Sequence, residues 1–168
     1  MHMDEYVGLP GDAPQRFAHY LDQRIFSRVP LKEVHRLNSA ASEPREECRR
    51  YALILDRHPA DIVCMGVGEN GHIAFNDPPV ADFRDPERVK VVTLERACRE
   101  QQVHDKCFPL LEAVPERAMT LTVPALLGAA HLVCVVPGQL KAEAVRRMLT
   151  GPVEEACPAS ALRYHGRA

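Results

Sequence analysis

Tryptophan is missing from this chain of 168 residues, and Phe and Tyr bring the aromatic share to only 5%. A surface that stacks unpaired bases needs such rings, so single-stranded nucleic acid is a poor candidate partner. An excess of either charge is lacking too, since 21 Lys and Arg face 23 Asp and Glu for a net of -2. Without a global positive field for nucleic acid or anionic lipid, any bound anion has to be gripped by a local site. Long hydrophobic runs are absent: the most apolar stretch, 123–136, is interrupted by Pro124 and His131 and is too short to span a bilayer. The opening MHMDEYVGLPGDAP has acidic residues and no apolar core, unlike a signal peptide.

Six cysteines stand at 48, 64, 98, 107, 134 and 157 without any CxxC pair. Cys64 and Cys134 lie in apolar runs, which reads as buried or incidental thiols in a reducing compartment. His104, Asp105 and Cys107 come nearest to metal-ligand spacing, but two ligands on one helix face do not make a zinc site. What is present is ordinary globular usage, 46% hydrophobic and 26% charged, enough for one cytoplasmic domain over 1–168.

Helix-like and strand-like pieces alternate along the chain. Asp12 and Pro14 predict a helix start, with Phe17, Tyr20, Leu21 and Ile25 at helical spacing. Ser42 opens a second helix with Pro44 in its first turn, Cys48, Tyr51, Ala52 and Leu55 on one face, and Pro59 closing it. Residues 62–65 suit a strand buried on both faces. Further strands are expected at 89–94, 119–123 and 132–136, with helices at 95–106, 124–129 and 139–149. In the last of these, Ala142, Val145 and Met148 or Leu149 are expected inward. The pattern implies an α/β layered domain with a mainly parallel, Rossmann-like sheet. Ligands of such sheets sit at the carboxyl ends of the strands, where the loops after Met65 and Val136 fall.

The loop after Met65 reads GVGENGHIAFNDPP over 66–79. Its first six residues satisfy GxGxxG, but Asn76-Asp77-Pro78-Pro79 breaks the helix that a dinucleotide site requires. What remains is a loop delivering Asn70, His72 and Asp77 to one place. An imidazole beside an amide and a carboxylate is a general acid/base arrangement, because the partners set its tautomer and orientation. Near the start, Asp4 and Glu5 are adjacent carboxylates that alone read as surface. Pro137-Gly138-Gln139-Leu140-Lys141 is a turn opening a helix, where free N–H groups and an ammonium suit a phosphate.

Together these motifs resemble the glucosamine-6-phosphate deaminase (isomerase) family, in the superfamily shared with 6-phosphogluconolactonases. The resemblance rests on HMDEYVGLP at 2–10, GVGENGHIAFNDPP at 66–79, LTVPAL at 121–126, PGQLKAEAV at 137–145 and ACPASALRYH at 156–165. It implies conversion of glucosamine 6-phosphate and water to fructose 6-phosphate and ammonia, without metal or cofactor. The implied partner is a phosphorylated amino sugar, not nucleic acid or membrane, and a homo-oligomer is compatible with it. By the same resemblance His72 opens the sugar ring, assisted by Asn70 and Asp77. Asp4 moves the C2 proton to C1, and Gly71 and Lys141 bind substrate, Lys141 at the phosphate. Gln102 falls roughly where some relatives place a phosphate-binding arginine. The family's first βα unit, with its phosphate loop, is expected before Asp4, and a further strand after His165. The chain thus reads as shortened at both ends, and weak or no turnover is expected of it alone. A lactonase-type hydrolase and a non-catalytic sugar-phosphate-binding remnant are the alternatives.

Overall fold

The computed structural model describes residues 1–168. Strand β1 (Asp4–Tyr6) is followed by α1 (Phe17–Leu21), which runs into a π-helical turn at Asp22–Phe26. Then come α2 (Pro44–Arg57), β2 (Ile62–Met65), β3 (Val89–Thr93), α3 (Arg96–His104) and β4 (Arg117–Leu121). Finally come α4 (Val123–Leu127), β5 (His131–Cys134) and α5 (Ala142–Thr150), with a 3-10 segment at Pro158–Tyr164.

The α/β layering with a parallel sheet is present. β2 and β5 pair in parallel, with Ile62 opposite His131 and Met65 opposite Cys134. The other three strands form a separate antiparallel sheet in the order β1-β4-β3. Asp4 lies opposite Thr120, and Val89 opposite Leu121. Apolar strand runs of this length carry no sign of pairing direction, so the sequence pattern alone does not separate the two sheets.

Several local expectations need correction. β2 is not buried on both faces: Val63 and Met65 are covered, whereas Ile62 and Cys64 are exposed. Cys64 is therefore an exposed thiol and Cys134 a half-buried one. Burial alternates because only one face of the two-stranded sheet is packed. In α5 the buried position is Ala144, while Ala142 and Leu149 face solvent. The 3-10 turn at Gln139–Lys141 precedes that helix and shifts its register relative to one continuous α-helix.

The first helix begins at Phe17 rather than near Pro14, and the reason lies in β1. Glu5 is fully buried, and its carboxylate accepts from the N–H groups of Phe17 (3.1 Å), Ala18 (2.9 Å) and Tyr6 (3.0 Å). A carboxylate from a distant strand thus satisfies the free donors of a helix N-terminus, work usually done by the residue just before the helix. Burial raises the Glu5 carboxyl above its ordinary range, against the pull of these N–H groups and of Arg16.

Two apolar clusters form the core. The larger gathers Leu37, Tyr51, Leu55, Val63, Met65, Leu126, Leu132 and Ala161 around β2, β5 and α2. The smaller gathers Tyr6, Phe75, Val92, Leu94, Cys98 and Phe108, with Tyr6 stacked on Phe17 at 5.2 Å. The 66–79 loop contributes to both, Val67 and Ile73 to the first and Phe75 to the second. It is consequently anchored at two points rather than free to swing.

Replacing Glu5 by Ala strands three N–H groups and leaves a void. Urea denaturation is expected to show a loss of about 3 kcal/mol, the usual cost of orphaned buried donors plus a small cavity. No loss would mean that α1 does not depend on this cap.

Candidate active site

The 66–79 loop leaves β2 at its carboxyl end and turns tightly. The N–H of Gly71 donates to the Gly68 carbonyl at 3.0 Å, and that of Gly68 to the His72 carbonyl at 2.9 Å. Gly71 sits at φ +91°, a conformation that disfavours side chains, and a Cβ there would meet Cys157 Sγ at 2.9 Å. At Gly68 the demand is stricter. A Cβ would fall 2.1–2.4 Å from the imidazole atoms of His72, so the ring lies flat against the Gly68 backbone. A second tight turn follows, with Ala74 in the left-handed region at φ 48° and Asn76 N–H donating to the Ile73 carbonyl at 3.0 Å. Asn76 is fully buried, and its amide donates to the carbonyls of Ile73 and Leu121. This folds Asp77 back toward His72.

Asn70, His72 and Asp77 meet in one network. The Asn70 amide nitrogen donates to Asp77 Oδ1 at 3.1 Å and to Glu95 Oε2 at 2.8 Å. With its NH2 held between two carboxylates, the amide must turn its oxygen to His72. That oxygen accepts from the His72 backbone N–H (3.0 Å) and from Nδ1 (2.7 Å). Nδ1 also lies 3.1 Å from Asp77 Oδ1. An amide oxygen only accepts, so Nδ1 carries the proton and Nε2 keeps its lone pair. The arrangement is that of a general base. Burial opposes ionisation of Asp77. The hydrogen bond and charge of His72, the Asn70 amide and the Glu95 N–H outweigh it and hold the carboxyl below the usual range.

Asp4 approaches the same place from β1. Its neighbour across the sheet is Thr120, whose hydroxyl accepts the Phe75 N–H from the His72 loop at 3.1 Å. The buried Cys98 thiol adjoins His72 and Asp77; burial first, then Asp77, Asp4 and Glu95 push its ionisation upward. Asp4 keeps partial solvent access, yet its carboxyl is pushed up to about 7, first by burial and then by the Glu5 charge. Lys141 follows β5, on the loop beside the His72 loop, because Val135 N–H donates to the Met65 carbonyl at 2.9 Å where both strands end. No carboxylate of the chain pairs with its ammonium.

Gln102 and the His104 cluster turn out otherwise engaged. Gln102 is buried and accepts the Tyr6 hydroxyl at 2.8 Å. His104 faces Glu69 at 3.6 Å while the Cys107 thiol turns to the Asp105 carbonyl at 3.8 Å. Sequence reasoning missed Glu95 and Cys98, which orient the amide and adjoin Asp77, and Gln101, which accepts the Glu69 N–H at 2.8 Å. The available signal was weak: Glu95 directly follows the strand expected at 89–94, but β3 belongs to the antiparallel sheet, to which the carboxyl-end rule does not extend. A surface groove of about 580 Å³ between α2 and β3 contains none of these residues. Its Arg49, Arg88 and Lys90 are paired with Glu46, Asp56 and Asp85.

The family model describing glucosamine-6-phosphate isomerases and 6-phosphogluconolactonases matches residues 2–168. The chain belongs to this family. Glucosamine-6-phosphate deaminases of Bacillus thuringiensis (strain Al Hakam) and Bacillus anthracis (strain CDC 684 / NRRL 3495) are 36% identical over 165 residues. Those residues are 98% of this chain and 61% of the relatives, so the chain spans about three fifths of their length. A solved monomeric glucosamine-6-phosphate deaminase superposes with a TM-score of 0.90 at 35% identity, covering 98% of this chain and 68% of that one. The 6-phosphogluconolactonase of Thermotoga maritima, at 20% identity and a TM-score of 0.70, covers 93% of this chain and 65% of its own; it shares the fold. No helix is long and apolar enough to cross a membrane.

A carboxyl raised to about 7 has a cost for folding. The folded chain keeps a proton on Asp4 that the unfolded chain releases near its ordinary value of 3.8, so this group lowers stability as pH rises from about 4 through 7. Thermal melts of Asp4→Asn are therefore expected to exceed those of the parent at about pH 8 and to match them at about pH 3.5. An equal difference at both values would contradict the raised carboxyl.

Proposed function

We propose that the chain carries the isomerisation and deamination of glucosamine 6-phosphate to fructose 6-phosphate and ammonia. One observation carries the reading: a buried imidazole is held as the Nδ1–H tautomer by the Asn70 amide oxygen, 3.1 Å from the Asp77 carboxylate, with Nε2 left as the free base. Relatives at 36% identity that are glucosamine-6-phosphate deaminases support the substrate class.

In this reading His72 Nε2 takes the anomeric hydroxyl proton and returns a proton to the ring oxygen, which opens the pyranose. Asn70 and Asp77 hold the ring and stabilise the imidazolium that forms transiently. A carboxylate serves where the imidazolium develops, and the amide fixes the geometry. Asp4, its carboxyl pushed up to about 7, takes the proton from C2 in its ionised form and delivers it to C1 through an enolamine. The ketimine at C2 then takes up water and releases ammonia. Gly71 lets the loop backbone approach the sugar, and the unpaired Lys141 ammonium takes the phosphate as a point charge. Gln102, whose amide oxygen accepts the Tyr6 hydroxyl, is a neutral side chain where some relatives carry a cation, so the phosphate grip is weaker and a high KM is part of the proposal. The reaction belongs in the cytoplasm and needs neither nucleic acid nor membrane.

The test is release of ammonia and fructose 6-phosphate from glucosamine 6-phosphate by the purified chain. The two products should appear in equal amounts. His72→Ala and Asp4→Asn should each slow turnover by about a thousandfold, the scale of a lost acid or base. A lactone hydrolase has no C2 proton to move. Turnover of Asp4→Asn at the parental rate would overturn the assignment, and no turnover by the parent would favour the sugar-phosphate-binding remnant.

A further inference from the structure

The mechanism uses His72 and Asp77 but leaves Cys98 without a chemical task. This thiol is only 1% exposed, and its sulfur, a ring nitrogen of His72 and a carboxylate oxygen of Asp77 all lie within 4.8 Å of one another. His72 and Asp77 are buried as well, at 8% and 1% exposure. A tetrahedral zinc ion, with bonds of about 2.0 Å to nitrogen and oxygen and 2.3 Å to sulfur, holds its donors roughly 3.3–3.6 Å apart. The His72 Nδ1–Asp77 Oδ1 pair already stands at 3.1 Å. Little movement is needed to close the third donor around an ion.

We propose that His72, Asp77 and Cys98 form a binding site for a borderline-soft divalent cation of the zinc class, inside the candidate active site. The donor set selects the class. One imidazole, one carboxylate and one thiolate suit zinc or cobalt, whereas magnesium and calcium demand oxygen ligands throughout. Three protein donors leave the fourth tetrahedral position to water. Binding displaces two protons from their present places. The thiol proton leaves for solvent as the Cys98–metal bond forms, and the proton on His72 Nδ1 gives way to the metal while Nε2 becomes protonated. One proton is released per ion. The base that the free network holds ready is thereby withdrawn, so this cation is an antagonist of the proposed reaction and not its cofactor. That consequence rests on the role given to His72; the binding itself does not.

A second cluster, Glu33, His35 and His58, also brings donors within 4.8 Å of one another. It lies at the surface, its two rings are stacked at 5.4 Å, and it has no sulfur. A readout specific for sulfur separates the two sites.

Cobalt(II) is the probe, titrated into the full chain carrying Cys64→Ala and Cys107→Ala, which removes the two exposed thiols. The expected result is a thiolate-to-cobalt charge-transfer band that saturates at one equivalent, with one proton released, and is bleached by zinc. Adding Cys98→Ser should abolish the band. Asp77→Asn, which retains the thiol, should weaken cobalt binding at least tenfold, the scale on which metal-site partners act. Circular dichroism establishes that both variants are folded. Absence of the band in the parent, or its persistence in folded Cys98→Ser, would overturn the proposal. Neither outcome depends on turnover, so a failed ammonia assay leaves the titration readable.

Discussion

The chemistry of this protein depends on which way one amide points. Asn70 is wedged with its nitrogen between the Asp77 and Glu95 carboxylates and its oxygen against His72. Flipping it would set its oxygen against two carboxylates and its NH2 against an imidazole N–H. Each of those contacts, in a site with little solvent, sets like partial charges against each other. The orientation of the amide dictates the tautomer, and the tautomer dictates that Nε2 is the free base. Glu95 is therefore a positioning residue for Asn70.

The fold serves that network by immobilising the loop that bears it. Residues 66–79 place Ile73 in one core cluster and Phe75 in the other, and between them Ala74 takes a left-handed conformation that a free chain would avoid. Packing on both sides holds the turn. Gly68 completes the arrangement by presenting bare backbone to the imidazole face, where any side chain would push the ring away from Asn70. On β1, strand alternation sends two adjacent carboxylates to different work. Glu5 caps α1, and Asp4, with fewer partners, is left with a raised carboxyl.

The alternation of helices and strands was legible in the sequence, and so was the Asn70, His72 and Asp77 triad, because both are written in local patterns. α2, with Pro44 in its first turn and Cys48, Tyr51 and Leu55 buried, follows from its spacing, although Glu43 rather than Ser42 stands at its N-cap and makes no side-chain cap. What the sequence hid is long-range. Nothing near Phe17 says that its helix is capped by Glu5, twelve residues away. Nor does the run 62–65 reveal that one of its faces is open. Cys98 and Glu95 sit in a polar helical stretch that looks like solvated surface until β3 and the 66–79 loop are folded against it. Gln102, aligned by resemblance with a phosphate ligand, is taken by Tyr6 across 96 residues of chain.

The most direct test of the central claim is nitrogen NMR of the His72 ring in the metal-free chain, at a pH where the imidazole is neutral. The two ring nitrogens of a neutral histidine have well-separated shifts, so the protonated one is identified without substrate or turnover. The account predicts a proton on Nδ1 and a bare Nε2, with the preference relaxed in Asn70→Ala. A His72 ring protonated at Nε2, or one whose tautomer ignores the loss of Asn70, would contradict it.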